Sequence, residues 1–278
     1  MIATVSLIAS ILTISQIFGN GAGDIEVVRN SDSRIALTAD AAGLIKADRI
    51  SVPDTVFLAS SQLTLVANEI VFSNNAVLSL GNEGKLVIVA SRITGGAIDV
   101  SGDSASIAGE KGGNAGRITI RAGIVEGTQI RANGGDGTTG QPGLIGSPGR
   151  RGRCAGFGQW RAAGRGEPGQ SGTSGGNGGN GGIVDIRVGE LLVIPIVAEG
   201  GKGGRGGAGG QGGPGGDGCT GLGGTQRSKG QGPPGTPGKD GTNGNSTPPR
   251  VTTFDFPEFA KKIRKIEISH DAILELIQ

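Results

Sequence analysis

One short segment holds the residues best suited to binding chemistry. Residues 150–161 read Arg-Arg-Gly-Arg-Cys-Ala-Gly-Phe-Gly-Gln-Trp-Arg and contain the only tryptophan of the chain. Guanidinium groups bind sulfate, phosphate and carboxylate groups, and Trp and Arg are favoured at recognition surfaces. An alternative interpretation is that Phe157 and Trp160 pack against Leu222 and the glycine backbone. We predict a binding site for an anionic partner, formed by Arg150, Arg151, Arg153, Phe157, Trp160 and Arg161.

The two cysteines, Cys154 and Cys219, occupy equivalent positions in two long glycine-rich segments. In an oxidising compartment they would close a 65-residue loop (219 − 154), worth about 4 kcal/mol on the loop-entropy model. We predict a disulfide between them, with the two Cα atoms within about 7 Å. Two free thiols are the alternative.

Catalytic and metal-binding patterns are scarce. The chain has one histidine and two cysteines, without a phosphate-binding loop or a Cys/His cluster at metal-ligand spacing. Strand alternation points a few charged side chains outward, at most one or two to a rung, and we expect solvent to cover them. The sequence therefore predicts a non-enzymatic protein without a cofactor or metal. The outward side chains are Asp99, Arg121, Arg131, Asp185 and Arg187.

A repeated strand pattern must position these segments. Aliphatic and polar residues alternate before a small residue, and a period of two turns one strand face inward. The intervals between the small residues are 20, 23, 32 and 66 residues, whereas one solenoid coil needs only about 20. The excess must leave the coil and return at one corner. The small residues are Ala47, Ala67, Ala90, Ala122 and Val188.

We therefore predict an all-β fold, specifically a parallel β-solenoid with glycine-rich hairpin insertions at one corner. Residues 63–65, 86–88, 118–120 and 184–186 should stack as parallel strands in register. Residues 254–259 resemble residues 186–191 and predict a strand of a sixth coil, with 266–268 as its second strand. The predicted glycine-rich inserts are residues 101–116, 134–182 and 200–250.

The two long inserts carry glycine at every third residue along an outward leg and again along a return leg. Period three is typical of a polyproline-II-like helix, which makes a 19-residue leg roughly 55–60 Å long. Because glycine allows close backbone approach, we favour antiparallel polyglycine-II hairpins packed side by side. Collagen-like trimers and flexible loops are the alternatives. The legs are residues 134–152 and 166–181 in one insert, and 200–218 and 232–244 in the next.

The two long inserts repeat each other at an offset of 66 residues. This offset aligns Gly134 with Gly200 in the outward legs. It also aligns Gly166 with Gly232 in the return legs. We therefore expect neighbouring inserts to stack with these positions side by side.

Composition and charge bound the class of protein. Glycine contributes 58 of 278 residues, against about 7% in ordinary domains, and we expect one elongated domain at residues 24–278. Residues 1–23 are uncharged and mostly apolar, which predicts a signal peptide or a hydrophobic cap, and no stable membrane span is expected.

Positive charge is concentrated in the inserts. Residues 134–182 have five Arg against two acidic residues, which leaves +3, and residues 200–250 have six Lys or Arg against two, which leaves +4. The net charge of +2 for the whole chain therefore leaves −5 for the remainder. Basic inserts on an acidic stem favour an anionic polysaccharide or another surface or matrix component as partner.

The strand pattern at 118–135, followed by glycine-rich runs, resembles bacterial filamentous-haemagglutinin-like surface proteins. The Gly-Gly-X legs with their cysteines are similar to the polyglycine-II bundles of phage tail-fibre tip adhesins. These resemblances imply a secreted or surface-displayed structural protein that contacts glycan or matrix, with self-association as a further expectation. The alternatives are a β-helix enzyme acting on polysaccharide and a Gly/Arg-rich nucleic-acid-binding protein, although we expect no nucleic acid.

Overall fold

The computed structural model describes residues 24–26, 44–58, 62–73, 75–155, 159–190, 192–221 and 224–265. The predicted signal peptide or cap at 1–23 and the predicted strand at 266–268 lie outside these residues, and so does Phe157. The described residues are almost entirely strand or extended chain, with one α-helix. The predicted all-β class is confirmed.

The larger sheet has seven strands, and every neighbouring pair is parallel. In spatial order the strands are β1 (Asp24–Glu26), β2 (Leu44–Val52), β4 (Gln62–Phe72), β6 (Lys85–Thr94), β8 (Arg117–Glu126), β12 (Ile183–Val188) and β16 (Arg250–Thr253).

A second parallel sheet has five strands. Its strands come from the chain segments between those of the larger sheet, so between residues 44 and 131 the chain alternates between the two sheets. In spatial order they are β13 (Ile196–Val197), β9 (Gln129–Arg131), β7 (Ala97–Asp99), β5 (Val77–Leu80) and β3 (Val56–Leu58).

The predicted register is confirmed. Leu63 pairs with Leu86, Leu86 with Ile118, and Ile118 with Val184. The small residues also lie side by side, from Ala47 in β2 to Val188 in β12. The buried inward face of the strands fixes this alignment, because a slip by one residue would turn every inward side chain outward.

Aliphatic side chains from both sheets form one core between them. Strands such as β6 and β8 contribute alternate residues, and those in the middle strands, such as Ile88, Ile98 and Ile120, are fully buried. Burial of one such side chain stabilises the fold by about 1.5–3 kcal/mol relative to its exposure.

The prediction of a strand at 254–259 is wrong. The last of the described strands, β16, pairs Val251 with Ile186, and the chain then turns into helix α1, which spans Phe256–Lys265. Asp255 caps this helix, since its Oδ1 accepts a hydrogen bond from the Glu258 N–H at 3.1 Å. An acceptor at the N-cap with Glu three residues later is a helix-start signal that outweighs the alternating phenylalanines.

Helix α1 covers part of the outer face of the larger sheet. Phe259 is buried there in a cluster with Val66, Val87 and Val89. The phenylalanine rings of this region contact one another, with Phe254 and Phe259 centroids 5.2 Å apart. The outer face is therefore not uniformly solvated.

Arg121 departs most clearly from the expected solvated strand face. Its side chain is only 2% exposed, and its Nη2 lies 2.8 Å from Oδ2 of Asp185 on the neighbouring strand. Its Nη1 also donates to the backbone carbonyl of Ile120. Burial lowers the pKa of Arg121, while the hydrogen bond and charge of Asp185 oppose that shift. Removing either partner of this buried ion pair would leave an uncompensated charge and destabilise the fold.

The inserts leave the strands as extended legs that bond to each other through their backbones. The two outward legs are joined at every third residue, as in the bond from Gly143 N to Ala208 O at 2.8 Å. The return leg of the second insert bonds to its own outward leg, for example from Gln170 N to Leu144 O. The first insert contributes a shorter pair of legs to the same stack. We call the three inserts, in chain order, the first, second and third layers.

Glycine occupies the positions that face a neighbouring leg. The third outward leg lies against legs of both layers and repeats Gly-Gly-X throughout; a Cβ at Gly209 or Gly210 would overlap a backbone carbonyl on either side. The third return leg faces neighbours on one side only, and there a single glycine per triplet is enough. Its Gly-Pro-Pro and Gly-Thr-Pro triplets, which look collagen-like in sequence, therefore mark an edge leg.

The return legs align at an offset of 65 residues, so the predicted offset of 66 is wrong for them. The side chain of Asn180 accepts from Asn245 N, and that of Asn177 accepts from Thr242 N. The cause is that the glycines face different neighbours: a Cβ at Gly166 would meet the third layer, whereas one at Gly232 would meet the second. The sequence alignment at an offset of 66 residues therefore paired glycines of the two return legs that face different layers.

Candidate binding tip

Each long pair of legs ends in a small antiparallel hairpin. The hairpin of the second layer pairs β10 (Arg153–Ala155) with β11 (Gln159–Arg161). The hairpin of the third layer pairs β14 (Cys219–Gly221) with β15 (Gly224–Gln226). We call these two hairpins together the tip.

The predicted disulfide is confirmed and ties the two hairpins together. Cys154 bonds to Cys219 with the Cα atoms 5.7 Å apart, inside the expected limit of about 7 Å. Both hairpins therefore sit at the same distance from the sheets. The hairpins also approach closely, since a Cβ at Gly221 would overlap the Cys154 carbonyl oxygen.

Two arginines lie directly opposite each other in the second-layer hairpin. Arg153 pairs with Arg161 across the ribbon, and residues directly opposite project from the same face with Cβ atoms about 4.5–5.5 Å apart. Both side chains are exposed. Like charges in this relation destabilise a hairpin, and an anion held between them would remove the repulsion.

Trp160 lies on the other face of the same hairpin. It pairs with Cys154, so its ring is on the side that carries the disulfide, and the side chain is 56% exposed. The sequence places Trp160 and Arg161 next to each other, but neighbours along a strand point to opposite faces. The predicted cluster is therefore divided between two surfaces.

The remaining arginines of the segment are separated from this pair. Arg151 forms an ion pair with Asp217 of the third layer, with Nη2 2.8 Å from Oδ2. Arg150 lies on the outward leg before the hairpin, and its carbonyl accepts from Gly164 N. Sequence reasoning missed Asp217 as a partner of Arg151, although the 66-residue offset aligns the two.

The tip can therefore offer a paired cationic surface on one face and an aromatic ring on the other. Among the described residues, no group of three or more His, Cys, Asp or Glu side chains could hold a metal ion. In the same part of the chain, no helix is long and apolar enough to span a membrane.

Comparisons with known proteins do not identify the chain. No family model, curated protein or solved structure matches it.

Proposed function

We propose that the two sheets form a parallel β-solenoid and that the legs form a polyglycine-II layer built on one of its corners. Support for the solenoid comes from the alternation of the chain between two parallel sheets with constant register. Support for the layer comes from glycine at every third residue together with backbone bonds between legs at the same interval.

On this architecture we propose a non-enzymatic adhesive protein, secreted or displayed at a surface, that binds an anionic glycan through its tip. The observation that carries the proposal is the directly opposed pair Arg153 and Arg161. Two guanidinium groups on one face suit a sulfate or carboxylate group, because each can donate two parallel hydrogen bonds. Trp160 offers a stacking surface for a sugar ring on the opposite face of the hairpin.

The rest of the molecule supports this role by holding the tip away from the sheets. A leg of 19 residues in polyproline-II geometry extends roughly 55–60 Å. Backbone hydrogen bonds at every third residue order the legs, and the disulfide joins the hairpins of the second and third layers. Disulfides persist in oxidising compartments, which fits a secreted or surface location.

Binding to three polysaccharides tests the proposal: sulfated heparin, carboxylated hyaluronan and neutral dextran. We expect the native protein to bind heparin, with an affinity that falls as salt rises. The double variant Arg153→Gln/Arg161→Gln should bind about tenfold or more weakly, since one charge-assisted contact of about 1.4 kcal/mol corresponds to a factor of ten. Its melting temperature should stay the same or rise, because the like charges are gone.

The matched control is Lys229→Gln/Lys239→Gln, which removes the same charge from two exposed positions outside the tip, one just before the third return leg and one on it. If both double variants lose binding equally, the attraction is diffuse and the tip is not the site. Trp160→Ala should weaken binding less than the arginine change and leave thermal stability nearly unchanged. A stronger affinity for single-stranded RNA than for heparin would favour the nucleic-acid alternative instead.

A further inference from the structure

The outward legs of the layers present one continuous face to solvent. Every third residue of the second outward leg has a counterpart 66 positions later in the third. The Arg151–Asp217 ion pair and the bond from Lys202 N to the Asp136 side chain mark two such rows. We call this surface the outward-leg face. Its rows, from the sheets toward the tip, are Asp136 and Lys202, Thr139 and Arg205, Pro142 and Ala208, Ile145 and Gln211, Pro148 and Pro214, and Arg151 and Asp217.

The middle of the outward-leg face is apolar and exposed. Ile145 is 70% exposed, and Leu144, on the adjoining edge of the same leg, is 65% exposed. Ile107, 66% exposed, ends the first layer next to Thr139, whose carbonyl accepts from Gly109 N. Exposed apolar groups that gather on one surface mark an interaction site. The proline side chains of the neighbouring rows, Pro142, Pro148 and Pro214, are exposed as well.

Each end of the face carries opposite charges in the two layers. Toward the sheets, the second layer has Asp136 and the third has Lys202. Toward the tip the signs are reversed, with Arg151 in the second layer and Asp217 in the third. The face is thus an apolar strip between two charge pairs of opposite order.

We propose that the outward-leg face is the contact surface for a second copy of this chain, arranged about a two-fold axis parallel to the legs. Such an axis, placed between the second and third layers, lays the second layer of one copy on the third layer of the other. It sets Arg151 opposite Asp217 of the second copy and Asp136 opposite its Lys202. Both ends then become alternating quartets of charge. Between them Pro142 lies opposite Ala208, Ile145 opposite Gln211, and Pro148 opposite Pro214 of the second copy.

The pattern of charge on the outward-leg face favours a second copy of this chain as the partner. Each end of the face carries one positive and one negative side chain, in two layers that the two-fold axis exchanges. The face is therefore complementary to itself, as an isologous interface requires. An antiparallel two-fold centred on the six rows, with each layer facing the same layer, would set Arg151 opposite Asp136 and Asp217 opposite Lys202. The parallel two-fold instead keeps the sheets and the tips of both copies at the same ends, and the mixing experiment below distinguishes the two arrangements.

Sedimentation velocity of the full oxidised chain tests the surface. The native protein should form a dimer whose fraction rises with concentration. Ile145→Glu should raise the dimer dissociation constant at least tenfold, because it sets a carboxylate in the apolar strip. Val193→Glu is the matched control: Val193 is 94% exposed and lies between β12 and β13, outside the outward legs, so its dimer should be unchanged. A native chain that stays monomeric at 100 μM, or a dimer unaffected by Ile145→Glu, would overturn the proposal.

A mixing experiment tests the two-fold arrangement itself. Arg151→Asp and Asp217→Arg should each weaken self-association, because each variant would set like charges opposite each other. Mixed together, one copy presents two acids and the other two arginines, so heterodimers should form and dominate in native mass spectra. Equal weakening without heterodimers would rule out the parallel two-fold. Heparin binding by the tip is measured separately, so failure here leaves the adhesion proposal standing, and the reverse also holds.

Discussion

The two parts of the molecule exclude water by opposite means. Between the sheets, aliphatic side chains fill the space, and the fully buried residues are mostly Ile, Leu and Val. In the glycine layer the space is filled by backbone, because the legs approach until a Cβ at most glycines would overlap a carbonyl oxygen. Apolar side chains stabilise the sheets, whereas the legs of the glycine layer pack closely because glycine has no side chain.

This difference decides what holds each part in place. Hydrophobic burial stabilises the core by about 25 cal/mol per Å². The layer depends on hydrogen bonds of about 0.5–1.5 kcal/mol each, set against about 1–2 kcal/mol to order each backbone. Such a layer needs a template, which the strands supply at its base, and a clamp, which the disulfide supplies at its far end.

The clamp should show the largest effect on stability. Replacing both cysteines, Cys154→Ser/Cys219→Ser, opens a loop with a sequence separation of 65, and should lower the free energy of unfolding by about 4 kcal/mol on the loop-entropy model. Hydrogen exchange should rise first in the legs and last in the sheets. Calorimetry and exchange mass spectrometry measure both.

The matched control removes an ion pair that also joins the second and third layers close to the disulfide. Arg151→Ala/Asp217→Ala breaks an ion pair whose side chains are 79% and 67% exposed, and such pairs contribute under about 1 kcal/mol. If the two double variants lose equal stability, the disulfide acts as a local contact and not as a clamp on the layer.

The core should be nearly as sensitive to loss of methyl groups. Ile120 is fully buried in β8, and Ile120→Ala should cost about 3 kcal/mol through lost burial and a cavity. Ile183, at the start of β12, is 43% exposed, and Ile183→Ala should cost less than half as much. Urea denaturation compares the two, and similar losses would contradict a core confined to the space between the sheets.

The layer should respond in the reverse sense, to the addition of one methyl group. Gly210→Ala sets a Cβ against the Leu144 carbonyl oxygen, and no side-chain rotation relieves a clash with backbone, so we expect a cost of about 2–3 kcal/mol. Gly230 has nothing within 4 Å of its Cβ position. Gly230→Ala should be neutral or stabilising by about 0.4–1 kcal/mol, because alanine restricts the unfolded chain. A flexible layer would tolerate both changes equally.

The sequence was sufficient where the same local pattern recurs. The positions from Ala47 to Val188 could be aligned because each follows the same alternation of aliphatic and polar residues. The disulfide could be predicted because Cys154 and Cys219 lie at nearly equal distances from their strands. The first prediction needed only the residue pattern of each strand, and the second needed only the number of residues between each cysteine and its strand.

The sequence was insufficient where a residue's surroundings come from elsewhere in the fold. Arg121 has the strand alternation of a solvated residue, and only the packed structure reveals its burial against Asp185. The phenylalanines near the end alternate as in a strand, yet Asp255 starts a helix. At the tip, adjacency in sequence grouped Trp160 with Arg161, although the pleat separates them.

The outer side of the third return leg shows how the stack of layers is closed. Glycine at the corresponding positions of the second return leg, such as Gly175 and Gly178, allows the third layer to approach. In the third return leg, Asp240 and Asn243 stand there instead. Their side chains accept the N–H groups of Gly206 and Gly203, the role that a leg carbonyl has between lower layers.

A leg therefore records in its sequence which neighbours its own glycines must admit. Both glycines of each triplet face a neighbouring leg in the third outward leg, whereas a single glycine does so in the third return leg. Gene duplication alone would not make the projection taller, since a duplicated third layer would meet Pro234 and Pro237 where it needs glycine. Growth in height would therefore require duplication followed by replacement of these boundary residues.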